Sequence, residues 1–276
     1  MKRIVFLAYL CGALTACNQS EQQAAQRLQM AREAYEQGLY SEAKLQIDSI
    51  KLLYPKAFDV RREGIGLMQE VELAEQTQSL AYLDSLLQVK QSELEAIRSR
   101  CTLEKNEEYE RIGHYLHPSQ VIEKNLHRSF VRFRTDEEGK LSTTSIYCGA
   151  RSIHHTAVRI SAPDGTFAET PASTDSYETT DLGEKIEKAD YKPGQDGGLI
   201  DFVCLNQKQN LKLTFLGEQN YTTTLTPADR QAAVTIRELS NMLASMTEIR
   251  KNMEECRLKM EFVKKKMAER KEKESF

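Results

Sequence analysis

Five histidines and six cysteines are the side chains of this 276-residue chain best able to bind a metal or attack a substrate, and their spacing favours neither. His114-Tyr115-Leu116-His117 follows Glu107, Glu108 and Glu110. On a helix the two histidines would share a face and could ligate one ion. Pro118 stops such a helix at once, and two ligands do not complete a site, so the run reads as a connector. His154 and His155 are adjacent; on a strand they point to opposite sides and cannot hold one ion together. Cys148 or Cys204 beside a histidine would form a nucleophilic pair, but both fall at inward positions of expected strands, where a thiol stays protonated and shielded. No nucleophile elbow, phosphate-binding loop, zincin helix or dinucleotide fingerprint occurs. The reactive residues thus indicate no catalytic site, no metal site and no cofactor. Residues 170–198, rich in Ser, Thr, Asp and Gly, read as a long loop that is either a binding edge or slack.

The elements that must position these side chains fall into three blocks. Residues from about Glu21 to Arg100 are helical in pattern, broken only near Gly38 and Pro55. From Asn106 to Leu225 short apolar alternations rich in Thr, Tyr, Val and Ile are punctuated by Gly, Pro and Asp, which is strand and turn chemistry. From Pro227 onward the pattern is helical again. Trp is absent, and Glu, Lys, Gln, Leu and Ala dominate both ends, a composition of long helices more than of one large core.

At the start of the chain, Lys2 and Arg3 precede the short apolar run Ile4 to Leu10, and small residues lead into Leu14-Thr15-Ala16-Cys17. The run is too short to span a bilayer and has the build of a removable secretory signal. Its last four residues resemble the lipobox of bacterial lipoproteins. The resemblance implies a diacylglycerol on Cys17, cleavage just before it, and acylation of the new N-terminus. Two or more acyl chains make a stable anchor. Asn18, where enteric bacteria place an inner-membrane retention aspartate, implies the outer membrane. No acidic surface-display cluster follows, which implies the periplasmic face. Removing Lys2 and Arg3 from the 38 basic residues leaves 36 against 41 acidic ones, a net charge of −5 that speaks against nucleic-acid binding.

Further on, Ala31, Ala34-Tyr35, Gly38, Tyr40, Ala43, Ile47, Ile50 and Tyr54-Pro55 resemble one tetratricopeptide repeat. In that reading Ala31 and Ala43 let two helices approach, Gly38 turns the chain, Tyr40 packs across the turn, and Pro55 ends the second helix. No second copy follows; Gly64 and Gly66 fit a next helix poorly. One repeat cannot bury its own apolar face, so it reads as a helical hairpin in a small bundle.

Two heptad seams flank the strand-rich block: Leu80, Leu83, Leu87, Leu94, Ile97 and Cys101, and Ile236 through Met267. Thr226-Pro227-Ala228-Asp229 is a strong helix start, with a cap, a proline at the first helical position and an acid at the positive end of the dipole. The seams predict an antiparallel coiled coil within one chain, with a parallel coil between chains as the alternative. Its register would set Cys101 opposite about residue 232 and Cys256 opposite about residue 77, too far apart to bond. Expected strands are 129–134, 142–148, 153–160, 199–205, 210–216 and 221–225, and a disulfide between Cys148 and Cys204 is open to an exported chain.

The expected class is α+β. Residues 1–16 form the signal, 17–57 the lipidated N-terminus and tetratricopeptide-like hairpin, 58–105 the first coiled-coil arm of a stalk, 106–225 an antiparallel β-sandwich-like domain, and 226–276 the second arm. Function is expected to be non-catalytic: a cell-envelope scaffold or binding module, anchored through Cys17, with an envelope protein or glycan as partner. An envelope assembly chaperone, or a hydrolase with its site in the β domain, are the alternatives.

Overall fold

The computed structural model describes residues 2–274, and of residues 2–18 only the backbone. It is a mixed α+β chain with antiparallel sheets and a long C-terminal helix. Helices α1 (Lys2–Glu36), α2 (Tyr40–Leu53) and α3 (Phe58–Arg98) come first. Ten strands follow: β1 (Thr102–Glu104), β2 (His114–Leu116), β3 (Phe130–Asp136), β4 (Leu141–Gly149), β5 (Ala157–Ser161), β6 (Phe167–Glu169), β7 (Asp175–Asp181), β8 (Glu184–Tyr191), β9 (Lys212–Leu216) and β10 (Tyr221–Thr224). Helix α4 (Leu199–Leu205) lies between β8 and β9, and α5 (Pro227–Glu274) closes the chain. Two compact units result. One holds the residues up to Ser85 together with those from Arg250 onward, and the other spans Leu86–Ile249.

In the helical unit α1 and α2 pack on one another through fully buried Ala31 and Ala43, with Ala24, Leu28, Ile47, Ile50, Leu67 and Val71 completing the core. Gly38 makes the turn. Its φ of 73° is left-handed, and the amides of Gly38 and Leu39 bond back to the carbonyls of Tyr35 and Ala34, closing α1 with two reversed bonds. Tyr40 packs its ring 6.3 Å from that of Tyr35. Pro55 lies in the turn after α2, whose last amide-bonded residue is Tyr54. Gly64 and Gly66 fit α3 after all, because both are buried where neighbours come close. A Cβ on Gly66 would stand 1.9 Å from the Arg270 guanidinium of α5, and one on Gly64 3.5 Å from Ile47.

The β unit contains a six-stranded sheet, β1-β2-β3-β4-β8-β7, and a four-stranded sheet, β10-β9-β5-β6, with every pairing antiparallel. Val131, Phe133, Tyr147, Ala189 and Tyr191 of the first sheet share one core with Val158, Ile160, Leu213 and Phe215 of the second. Leu199, Ile200 and Val203 of α4, together with Ala233 and Ile236 of α5, complete that core. α5 starts on a reciprocal cap: Thr226 Oγ donates to Asp229, and the Asp229 amide donates to Thr226 Oγ. Buried Asp229 also pairs with Arg128.

Two expectations are corrected. Residues 199–205 are helix α4, not a strand. Leu199, Ile200 and Val203 fall on one helical face, and Asp196 accepts the Ile200 amide at its start. Residues 170–198, read as a loop, contain β7 and β8, joined at Leu182-Gly183 with φ of 47° and 86°; two positive φ values fit a two-residue hairpin turn. Cys101, expected opposite about residue 232, packs against the core that includes Ala233 and Ile236 and also clusters with Leu239 and Leu243. The first turns of α5 are spent on the β core, so helix-to-helix packing begins further along.

Candidate functional site

The most connected polar cluster lies inside the β unit. Ser145 of β4 and Glu187 of β8 both point to the core side of their sheet, and His155 comes from the irregular stretch before β5. Ser145 Oγ stands 2.8 Å from His155 Nε2, and His155 Nδ1 3.0 Å from Glu187 Oε2. Glu187 further accepts the backbone amides of Ile153 (2.5 Å), His154 (3.0 Å) and His155 (2.8 Å). Tyr191 places its hydroxyl 3.3 Å from Ser145 Oγ and donates to the Thr156 carbonyl. The order of groups is that of a serine–histidine–acid relay. Yet Ser145 is 0 %, His155 2 % and Glu187 3 % exposed, so no substrate reaches the hydroxyl in this conformation.

Its electrostatics match a structural clamp. Burial pushes the His155 pKa below the usual imidazole value, outweighing the raising effect of Glu187. Burial also pushes Glu187 upward, but the amides of residues 153–155 and the His155 ring prevail and hold it below the usual carboxylate value. Neutral imidazole and ionised carboxylate are therefore the favoured pair, and the carboxylate pins residues 153–155 to β8.

His154, at a left-handed φ of 51°, turns the other way and meets Glu178 at 3.1 Å. Ligand atoms of His154, Glu178 and Glu187 lie within 4.8 Å of one another. Glu187 is a poor metal ligand even so, since its two oxygens already accept four N–H donors. The other histidine pair is also rearranged. His114 lies on β2 and His117 beyond it, so the helix that would have brought them together does not form. His117 Nδ1 bonds Ser119 Oγ at 2.8 Å, and burial lowers its pKa.

A cavity of about 180 Å³ opens on the other face of the six-stranded sheet. Phe130, Ile146, Ile186 and Cys148 line it, and Ile122, Leu126 and Leu182 stand exposed around it. Within it Glu184 accepts from Cys148 Sγ at 3.2 Å and pairs with His127. Burial first, then Glu184, pushes the Cys148 thiol up to about 11, while Glu184 raises His127. Two of the three non-glycine residues with positive φ among the described residues, His127 and Leu182, line this cavity. Such backbone costs energy, and a branched leucine at the tip of a hairpin is an unusual choice for it.

Cys148 therefore faces this cavity and not the core, whereas Cys204 sits on α4 against the core. The structure does not bring them together, and both are free thiols, as are Cys101 and Cys256. The side chain of Cys17 lies outside the described residues. Sequence reasoning missed Ser145, Glu187 and Tyr191; a glutamate at an inward position of β8, alternating with Ala189 and Tyr191, was the available signal. Comparison with protein-family models, with curated proteins and with solved structures finds no match for this chain.

Proposed function

We propose that this chain is a bacterial cell-envelope lipoprotein, anchored through Cys17 and facing the periplasm from the outer membrane, that serves as a non-catalytic scaffold or binding module. Its tetratricopeptide-like hairpin and coiled-coil arms present a β-sandwich-like domain to an envelope protein or glycan. The anchor reading rests on the lipobox. Among the described residues no helix is long and apolar enough to cross a membrane. The observation that carries the binding role is the cavity beside Cys148, with Leu182 held at its rim 83 % exposed and in a left-handed conformation. Strain kept at an exposed apolar tip is a mark of function more than of folding.

Labelling cells with a palmitate analogue should mark the wild type and leave Cys17→Ser blank; equal labelling removes the anchor. A photo-crosslinker at position 182 should give one discrete envelope adduct. Position 205, where Leu205 is 85 % exposed but away from the cavity, should give none. Equal adducts from both positions would refute the binding role of the cavity.

One observation favours an assembly chaperone as a second reading. In the helical unit a groove of about 270 Å³ is lined by Ile47, Ile50, Ile65 and Met68, with exposed Leu52, Leu53 and Phe58 on the same helices. A chaperone would keep an unrelated envelope protein from aggregating, and Ile65→Asp would abolish that protection while leaving the crosslink at 182 intact. A hydrolase would require Ser145 to become accessible, which the buried network opposes.

A further inference from the structure

The groove between α2 and α3 in the helical unit has an apolar floor, apolar walls and open charges on its rim. Ile47 and Ile50 of α2 and Ile65 and Met68 of α3 line its volume of about 270 Å³. Phe58, Arg61, Ile65 and Met68 follow one another at steps of 3, 4 and 3, so they share one face of α3. Phe58 is 68 % and Ile65 59 % exposed, and Leu52 of α2 is 76 % exposed. Single apolar residues on a surface mean little, but apolar walls around an apolar groove mark a docking surface. Among the described residues no helix covers it. α3 runs on for 41 residues without turning back, and the Arg270 side chain of α5 lies against α3 at Gly66, outside the groove.

The rim decides what fits. Asp48, Lys51 and Arg61 stand on it. Arg61 is held by the Pro55 carbonyl, which accepts from its Nη1 at 2.7 Å. Nearby Lys44 is paired with Glu75, Arg32 with Glu63 and Arg62 with Asp59. Asp48 and Lys51 are exposed, lie one turn apart on α2, and make no ion pair with a described residue. One open carboxylate and one open ammonium on the same helix face suit neither an acidic nor a basic partner. They suit each other. When two copies of α2 lie antiparallel, Asp48 of one meets the partner's Lys51, and Lys51 meets the partner's Asp48. The same register sets Leu52 opposite the partner's Ile47, which lines the groove.

We propose that two copies of this chain associate through this groove, α2 against α2 about a twofold axis, burying the apolar walls and forming the Asp48–Lys51 pair twice. A contact of this kind uses the same patch on both copies and closes at a dimer. The inference depends neither on the lipid anchor nor on the cavity beside Cys148. A dimer would hide the groove from any client, so the inference and the chaperone reading exclude one another.

The test is sedimentation equilibrium of the whole protein in a non-ionic detergent, so that an acyl chain cannot itself drive association. The wild type should be a dimer that dissociates to monomer on dilution. Asp48→Lys alone and Lys51→Asp alone should each weaken the dimer by at least about tenfold, because like charges then meet twice across the axis. Mixing the two single variants should give a heterodimer, and both changes in one chain should restore the homodimer. Ile65→Asp should weaken association by at least about thirtyfold, the effect of a residue central to an interface. All three positions are exposed, so the helical circular dichroism of these variants should match the wild type. A wild type that is monomeric at every concentration, single charge variants that dimerise as it does, or a mixture that fails to pair would overturn the proposal. A monomer that keeps an unrelated envelope protein from aggregating would also overturn it and give the groove to a client.

Discussion

Replacing Glu187 by glutamine should be the most damaging isosteric change in the β unit. The carboxylate takes two N–H donors on each oxygen: the Ile153 and His154 amides on Oε1, and the His155 amide and ring on Oε2. Glutamine keeps one acceptor oxygen and turns an NH₂ group towards the other two donors, so two bonds are lost and two donors face donors. Hydrogen bonds to a charged group are each worth about 1.5–3 kcal/mol, and leaving a partner unpaired in the interior adds desolvation. The total should be about 3–5 kcal/mol, a large part of a domain's ordinary stability of about 5–15 kcal/mol. Urea unfolding followed by near-ultraviolet circular dichroism reads this directly. The chain has no tryptophan, so buried Tyr147 and Tyr191 of this core report on it. The pH dependence supplies a second arm. His155 has a folded pKa below 6.5, so its neutral form favours folding; that contribution is present above pH 6.5 and is lost as pH falls below it. Glu187 is likewise depressed from 4.5, so its contribution is lost in the same direction at lower pH. Acidification from pH 7 should therefore weaken the wild type in two stages. A variant within about 1 kcal/mol of wild type, or a wild type more stable at pH 5 than at pH 7, would refute this account.

Two further outcomes follow from the cavity. Leu182→Asn places a residue tolerant of positive φ in the hairpin turn and should raise stability by about 1 kcal/mol in thermal unfolding, while reducing capture of the partner that crosslinks at 182. Cys148, with its thiol pushed up to about 11, should react with a disulfide reagent at pH 8 at least about a hundredfold more slowly than a free cysteine; a rate equal to that of free cysteine would contradict its burial beside Glu184.

What the sequence disclosed depended on how local the signal was. The start of α5 is written in four consecutive residues, Thr226 to Asp229, and the structure forms the cap there. Gly38 likewise marks its turn by itself. The strand Asp175–Asp181 carries no apolar alternation because nearly all its side chains face solvent, so it was invisible next to its partner β8. Leu199–Leu205 alternates like a strand over a few residues, and only the tertiary core chooses the helix. The Glu187 network joins residues 10 to 46 positions apart, and the shielded atoms of Arg132 and Arg134 lack partners only once the chain is folded. Neither could be read from spacing alone.

The division of α5 between two units has a consequence for the order in which the chain can fold. The β unit is complete once Ile249 has been made, because all its parts lie between Leu86 and that residue. The helical unit brackets it like an outer pair of parentheses, opening in the first 85 residues and closing only with the stretch from Arg250. The core of its N-terminal helices is drawn from residues 24–71, so the stretch from Arg250 joins a unit whose centre is already made. A stop codon placed just after Ile249 would spare the β unit and leave the α1–α2 packing in place, while uncovering α3 at Gly66, where the Arg270 guanidinium lies against it.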